Sequence, residues 1–201
     1  MNGLLKKAIT FKQVLLSMSA GGLLLVSMQA MPQLCDTSSL ASTPTHSFLI
    51  TAEGTAFDRK TNLEWKVCAE GQTWSSGDCM GSASVHNWQQ ALDVPKVLNA
   101  SEGYAEKSDW RLPNIKELAT IIEHRCELPA INHSVFFKVM HEDDYANENT
   151  DNDREYWSAS PTGSLNEASS WLVDFTMGDI ESHARTFVRK VRLVRTVPKP
   201  D

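Results

Sequence analysis

Residues 108–118 read SDWRLPNIKEL, and the reading of that stretch decides the fold. Asp109 and Arg111 flank Trp110, and Leu112-Pro113 leads into a helix. Asn114 and Glu117 have the spacing of a capping box, in which two side chains three residues apart satisfy each other's backbone N–H groups, with Asn replacing the usual Ser or Thr. Ile115, Leu118, Ala119 and Ile122 then recur at helical spacing and predict one buried stripe. Two charges beside a tryptophan are either the reacting groups of a site or the ion pairs that pin a helix to a sheet.

Working outward, SFLITAEGTAFDRKTNLEWKVC (residues 47–68) alternates short apolar runs with turn residues, which predicts strands near 48–51, 55–58 and 63–67. A first helix begins after Asn87, a good N-cap, with Trp88, Ala91 and Leu92 on one face. Pro95 is expected to end or kink it, because proline removes a hydrogen bond and clashes with the preceding turn. Beyond residue 155 the pattern returns to strands: YWSAS, then SWLVDF with Trp171, Val173 and Phe175 on one face and Leu172 and Asp174 on the other. TMGD makes a turn and TFVRKVRLVR closes the domain. Strands, two helices and more strands predict an α+β fold with a mostly antiparallel sheet.

The first thirty residues read as a secretory signal peptide. Lys6, Lys7 and Lys12 form the positive start, Val14 to Val26 the apolar run, and Ala30 the residue before cleavage. That run is short for a membrane span. Residues 31–45 follow as an exposed Ser/Thr/Pro-rich lead-in, and 46–197 as one domain with its own core. Export makes the even cysteine count a disulfide framework, although four cysteines allow three pairings. Cys68 and Cys79 are close in sequence, with Gly71, Ser75, Ser76 and Gly77 able to bend between them, so they are paired, which leaves Cys35 with Cys126. Their spacing is not that of a zinc site. The expected location is exported: periplasmic, cell-surface or secreted.

Removing three lysines and no acid takes the formal charge from −6 to −9, which disfavours nucleic acid as a partner. The charge is uneven. Residues 141–155 hold seven acids against Arg154, and residues 181–201 hold six bases against Glu181 and Asp201. Asp151, Asp153 and Glu155 are a calcium candidate, since they supply oxygen at alternate positions. The match to an EF-hand loop fails at Asn152 and Ser158, so a solvated surface loop is the preferred reading and no metal or other cofactor is expected. Gly-x-Ser-x-Gly, a phosphate-binding glycine loop and His-Glu-x-x-His are all absent from the sequence. If all four cysteines are bridged, none is a nucleophile, and no catalytic residue is assigned.

GTAFDRKTNLEWKVCAEGQTW, NWQQAL, SDWRLPNIKELATII, PAIN, YWSAS, WLVDF and VRLVR occur here in the order seen in one bacterial family. Over nearly all of residues 46–196 the chain resembles the domains named after the C-terminal domain of the Legionella collagen-like adhesin. The resemblance implies a C-type-lectin-like fold, distantly related to that of the formylglycine-generating enzyme. It makes Asp109, Trp110, Arg111, Pro113, Asn114 and Glu117 a structural signature: Trp110 packs, the two charges pair or cap backbone, and Pro113 sets the helix entry. It also implies an adhesin module that forms trimers and binds sulfated glycosaminoglycans. This chain departs from that pattern in its acidity, its 141–155 segment and its lack of a collagen-like tract.

The function expected is therefore a secreted or surface-exposed, non-catalytic module that binds extracellular polysaccharide, with a homo-oligomer as the assembly that the resemblance implies. Arg185, Arg189 and Lys190 are the expected basic contacts, because guanidinium groups fork onto sulfate and phosphate. Trp171 or Trp157 is the expected stacking surface, while Trp65, Trp88 and Trp110 are assigned to the core. Arg192 and Arg195 are read as structural. The alternative is an assembly subunit of the cell envelope that recognises a surface protein and no carbohydrate.

Overall fold

The structure is a computed structural model that describes residues 33–136, 154–163 and 168–198. The expected signal peptide, Asp151 and Asp153 lie outside the described residues. The elements run β1 (Leu34–Cys35), β2 (Phe48–Ile50), β3 (Thr55–Asp58), β4 (Leu63–Lys66), the hairpin β5 (Thr73–Ser75) and β6 (Asp78–Met80), and β7 (Val85–His86). Two helices follow, α1 (Trp88–Ala100) and α2 (Ile115–Ala119), then β8 (Cys126–Glu127) and β9 (Glu155–Pro161). The last strands are β10 (Ser169–Asp174), β11 (Asp179–Ala184), β12 (Arg189–Lys190) and β13 (Val194–Thr196). The class is α+β, with two helices and pairing that is antiparallel except between β9 and β12.

A five-stranded sheet, in the order β11-β10-β9-β12-β7, divides the molecule. Side chains alternate across a sheet, so neighbouring residues on its inner strands feed different cores. Tyr156, Val173 and Phe175 join one cluster with Trp65, Leu118, Ile121 and Phe136, on the side of α2 and the four-stranded sheet β13-β4-β3-β2. Trp157 and Leu172 join the other with Ala91, Trp110, Val191 and Leu193, under α1. The sequence pattern of SWLVDF predicts one apolar face. The strand is instead buried on both, with Leu172 and Val173 each fully inaccessible.

Both helices start at the expected caps. Asn87 accepts from the Gln90 N–H and Gln90 returns the bond to the Asn87 N–H, both at 2.9 Å. Asn114 and Glu117 do the same for α2 at 3.0 and 2.9 Å. Pro95 does not end α1, which continues to Ala100. Proline in a helix interior costs about 3 kcal/mol, but Pro95 is buried beside the apolar residues of α1 that cover the sheet, and that packing carries the helix through.

TFVRKVRLVR is not one strand. Arg189 and Lys190 pair in the five-stranded sheet, whereas Val194 to Thr196 pair with β4 in the other. Between them Arg192 is wholly buried: one nitrogen donates to the carbonyls of Lys66 and Val67, and its guanidinium lies 5.0 Å from the Phe136 ring and 5.3 Å from the Tyr156 ring. The segment is therefore the seam between two sheets, and strict two-residue alternation does not describe it.

Two disulfides, Cys35–Cys126 and Cys68–Cys79, form as paired in the sequence. The Cys68–Cys79 loop is more ordered than a flexible linker, because Ser76 and Gly77 both have positive φ, the geometry of a tight hairpin turn. The lead-in is exposed over residues 34–40 but docks after that. Glu123, buried, accepts the backbone and hydroxyl hydrogens of both Ser42 and Thr43 within 3.1 Å. Burial pushes the Glu123 carboxyl up, and these bonds outweigh it and hold the group below its ordinary value.

Candidate functional site

The two charges beside Trp110 do not pair with each other. Asp109 accepts from Arg195 Nε at 2.7 Å, and the same guanidinium donates to Glu64. Arg111 forks onto Glu117 at 2.7 and 2.8 Å and reaches Thr196 Oγ1 at 3.0 Å. Backbone bonds of 2.9 Å in both directions between Arg111 and Val194 complete the clasp. Trp110 is 2% exposed, its indole N–H donating to the Tyr104 carbonyl at 3.0 Å. Pro113 offers its carbonyl to the Ala159 N–H. The signature stretch thus ties α2 to both sheets, and Asp109, Arg111 and Glu117 are all held in structural contacts.

The expected ligand contacts separate. Arg189 and Lys190 are each 5% exposed and Trp157 is fully inaccessible, its indole N–H donating to the His86 carbonyl. A side chain with no surface offers a ligand nothing, so these three are corrected to core residues. Their basic and aromatic character signalled a surface, but the central position of β9 and β12 in the sheet buries them on both faces. Arg185 and Trp171 stay half-exposed. They are not neighbours in function, because the regular β10–β11 register puts Arg185 on the α1 side with Ser170, and Trp171 on the opposite side with Val173.

The α1 side of the outer strands holds the best-built polar surface among the described residues. Arg185 donates through Nε to the Ser170 hydroxyl at 3.0 Å, and its guanidinium lies 4.3 Å from the centre of the Trp88 ring. Trp88 is only partly buried, and its indole N–H is fixed on the Ser158 carbonyl at 2.8 Å. It packs against the α1-side core, as assigned, while its place at the first turn of α1, at the helix rim, leaves part of the ring open. Along the same face His183 stacks edge-on against the exposed ring of Phe187, with centroids 6.0 Å apart.

Glu155, Glu181 and His183 lie close enough for their ligand atoms to share an ion. The contacts argue against a cation there. Arg189 bonds Glu155 directly and sits 2.8 Å from His183 Nδ1, so a guanidinium already occupies the space between the groups. Burial pushes the Glu155 carboxyl up, against the pull of Arg189 and His183. The sequence places Glu155 in a solvated surface loop, with calcium as the lesser reading; it is instead a member of a buried ion pair. All four cysteines are bridged, leaving no free thiol. No helix among the described residues is long and apolar enough to cross a membrane.

A two-core α+β domain with disulfide ties and no free thiol is the class that this geometry defines. Residues 54–195 match the model of the Lcl C-terminal domain family, and the chain belongs to that family. No curated protein matches the chain. Membership is consistent with an adhesin-like surface module, and the two disulfides with an extracellular or exported protein.

Proposed function

We propose that this protein is an exported, non-catalytic, adhesin-like module that binds an extracellular glycan or related polymer on the α1 side of its outer strands. The observation that carries the reading is the Arg185 guanidinium held over the half-exposed Trp88 ring at 4.3 Å. The part of the indole left open beside the guanidinium supplies apolar area for a sugar ring, and the guanidinium supplies forked donors for hydroxyl, carboxylate or sulfate oxygens. Ser170 and Ser158 fix both groups before any ligand arrives, which lowers the entropy cost of binding. Glu181 on the same face balances the charge, so a lightly charged or neutral glycan fits better than a densely sulfated one.

The C-type-lectin-like fold belongs to this reading as well. Its support is the union of early and late strands, β2 and β13, in one sheet, together with two helices and two disulfides. The absence of catalysis is part of the proposal too, supported by the structural use of Asp109 and Arg111 and by the bridged cysteines.

Retention of the purified protein on immobilised heparin and on a neutral polysaccharide tests the reading. Elution from heparin that is steep in salt identifies an anionic polymer. Retention on the neutral matrix that salt does not disturb identifies an uncharged glycan. Flow-through on both would contradict glycan binding and turn attention to a surface protein.

A further inference from the structure

We infer that the Cys35–Cys126 bridge is a site of thiol–disulfide exchange, and that its reduction by a small thiol such as glutathione releases residues 33–41 while the domain stays folded. The inference is independent of the glycan reading. The two bridges differ in access. Cys68 is 1% exposed and Cys79 fully inaccessible, and both belong to the core that holds Trp65 and Phe136, so an incoming thiol reaches them only when that core opens. Cys35 is exposed, and Cys126, 8% exposed, belongs to neither core. A cavity of about 480 Å³ opens onto both residues, with Leu34 and Met177, each about half exposed, on its wall. Its rim carries acids, Asp36 and Glu127, and bases, His124 and Arg125, so no single sign of charge bars a thiolate.

Exchange starts at the exposed residue. The thiolate of the incoming thiol bonds to Cys35 Sγ, the Cys35–Cys126 bond breaks, and its electron pair leaves on Cys126 Sγ, which takes up the proton that the thiol lost. A second thiolate then attacks the mixed disulfide and frees Cys35, which is protonated in turn. Two thiols are thereby oxidised to one disulfide, and the bridge gains two electrons and two protons. What the bridge holds down is small. β1 is two residues long and pairs with β8 alone among the described residues. Around it the Gln33 amide donates to the Pro129 and Ile131 carbonyls, and the Asp36 N–H to the Arg125 carbonyl. From Thr37 to Leu40 the chain is exposed, and the Ser38 and Ser39 hydroxyls bond back to Asp36 within the same segment. Hydrogen bonds at such an edge open locally, so the covalent bond is what fixes the segment. The release stops at Ser42 and Thr43, which Glu123 holds independently of the bridge. Both cores, from Phe48 onward, and the Cys68–Cys79 bridge lie beyond that point in the chain.

The test is incubation of the oxidised, folded protein with glutathione in the absence of denaturant, quenched by alkylation and read by peptide mass spectrometry. Cys35 and Cys126 are expected to exchange at least about tenfold faster than Cys68 and Cys79, with the first glutathione adduct on Cys35. Once that bridge alone is open, near-ultraviolet circular dichroism is expected to keep its folded spectrum. Amide hydrogen exchange is expected to rise in residues 33–41 and to stay low in β4, β9 and β10. Equal rates for the two bridges, faster loss of Cys68–Cys79, or a first adduct on Cys126 would overturn the inference. So would a bridge that resists glutathione until denaturant is added, or unfolding of the whole domain on reduction.

Discussion

Arg195 shows how one side chain can join parts of the chain far apart in sequence. It is 8% exposed and bonds both Glu64 on the neighbouring strand and Asp109 in the signature stretch. The two partners differ, because the Asp109 side chain is 55% exposed and that of Glu64 only 14%. An exposed partner is screened by water and contributes little, while removing the buried centre strands a carboxylate. Arg195→Met is therefore expected to destabilise the protein by about 3 kcal/mol, and Asp109→Asn by under about 1 kcal/mol, from urea midpoints at constant m-value. Equal effects would mean that the pair, not the buried charge, dominates. Glu123 adds a pH dependence. Its folded carboxyl lies below the ordinary 4.5, so the stability it contributes is present above 4.5 and lost as pH falls through the lower folded value. Glu123→Gln is expected to be less stable than the parent at neutral pH, by about 2 kcal/mol. That gap should narrow as the pH is lowered past 4.5, and a gap independent of pH would show that the carboxylate charge is not what holds the lead-in.

At the scale of elements, local chemistry was legible in the sequence and global placement was not. Asn87, Asn114 and Glu117 announce helix starts because a cap is satisfied within three residues. The burial of Arg189, Lys190 and Trp157 depends on which strands sit in the middle of a sheet, and neighbouring residues do not encode that. Pro95 failed as a stop signal for a related reason, since tertiary packing overrides a local penalty. The β5–β6 hairpin was hidden by its composition, as serines and glycines read as a loop until their positive φ values make a turn. That hairpin docks by one contact that can be tested. Gly54, at φ +79°, lies beneath Trp74, whose indole N–H donates to the Ala52 carbonyl at 2.9 Å. An added Cβ at position 54 would come within 2.4 Å of the indole. Gly54→Ala is expected to cost about 2 kcal/mol or more through overpacking and backbone strain. Urea unfolding reads the loss of stability, and near-ultraviolet circular dichroism reads the accompanying change in tryptophan packing.

At the scale of the molecule, the two disulfides have unequal work. Cys35–Cys126 spans 91 residues and Cys68–Cys79 spans 11. On the chain-entropy account the long closure contributes about 4 to 5 kcal/mol and the short one about 3 kcal/mol. Replacing each pair by alanine should reproduce that order in urea midpoints, and the reverse order would mean that the hairpin, rather than the lead-in, is the more dependent on its bridge. The binding surface has the same global character. Arg185 was legible as a basic candidate, but its partner Trp88 belongs to a helix nearly a hundred residues earlier in the chain. Only the fold brings them together, and it sends Trp171 to the other side of the sheet. The account's central claim is that this pair receives a glycan. The measurement that tests it most directly is binding of the purified protein and of Arg185→Ala to a glycan array spanning neutral, carboxylated and sulfated structures. The account predicts a defined set of glycans bound by the parent, with affinity at least about tenfold lower in the variant. Equal binding by both proteins, or none by either, would contradict it.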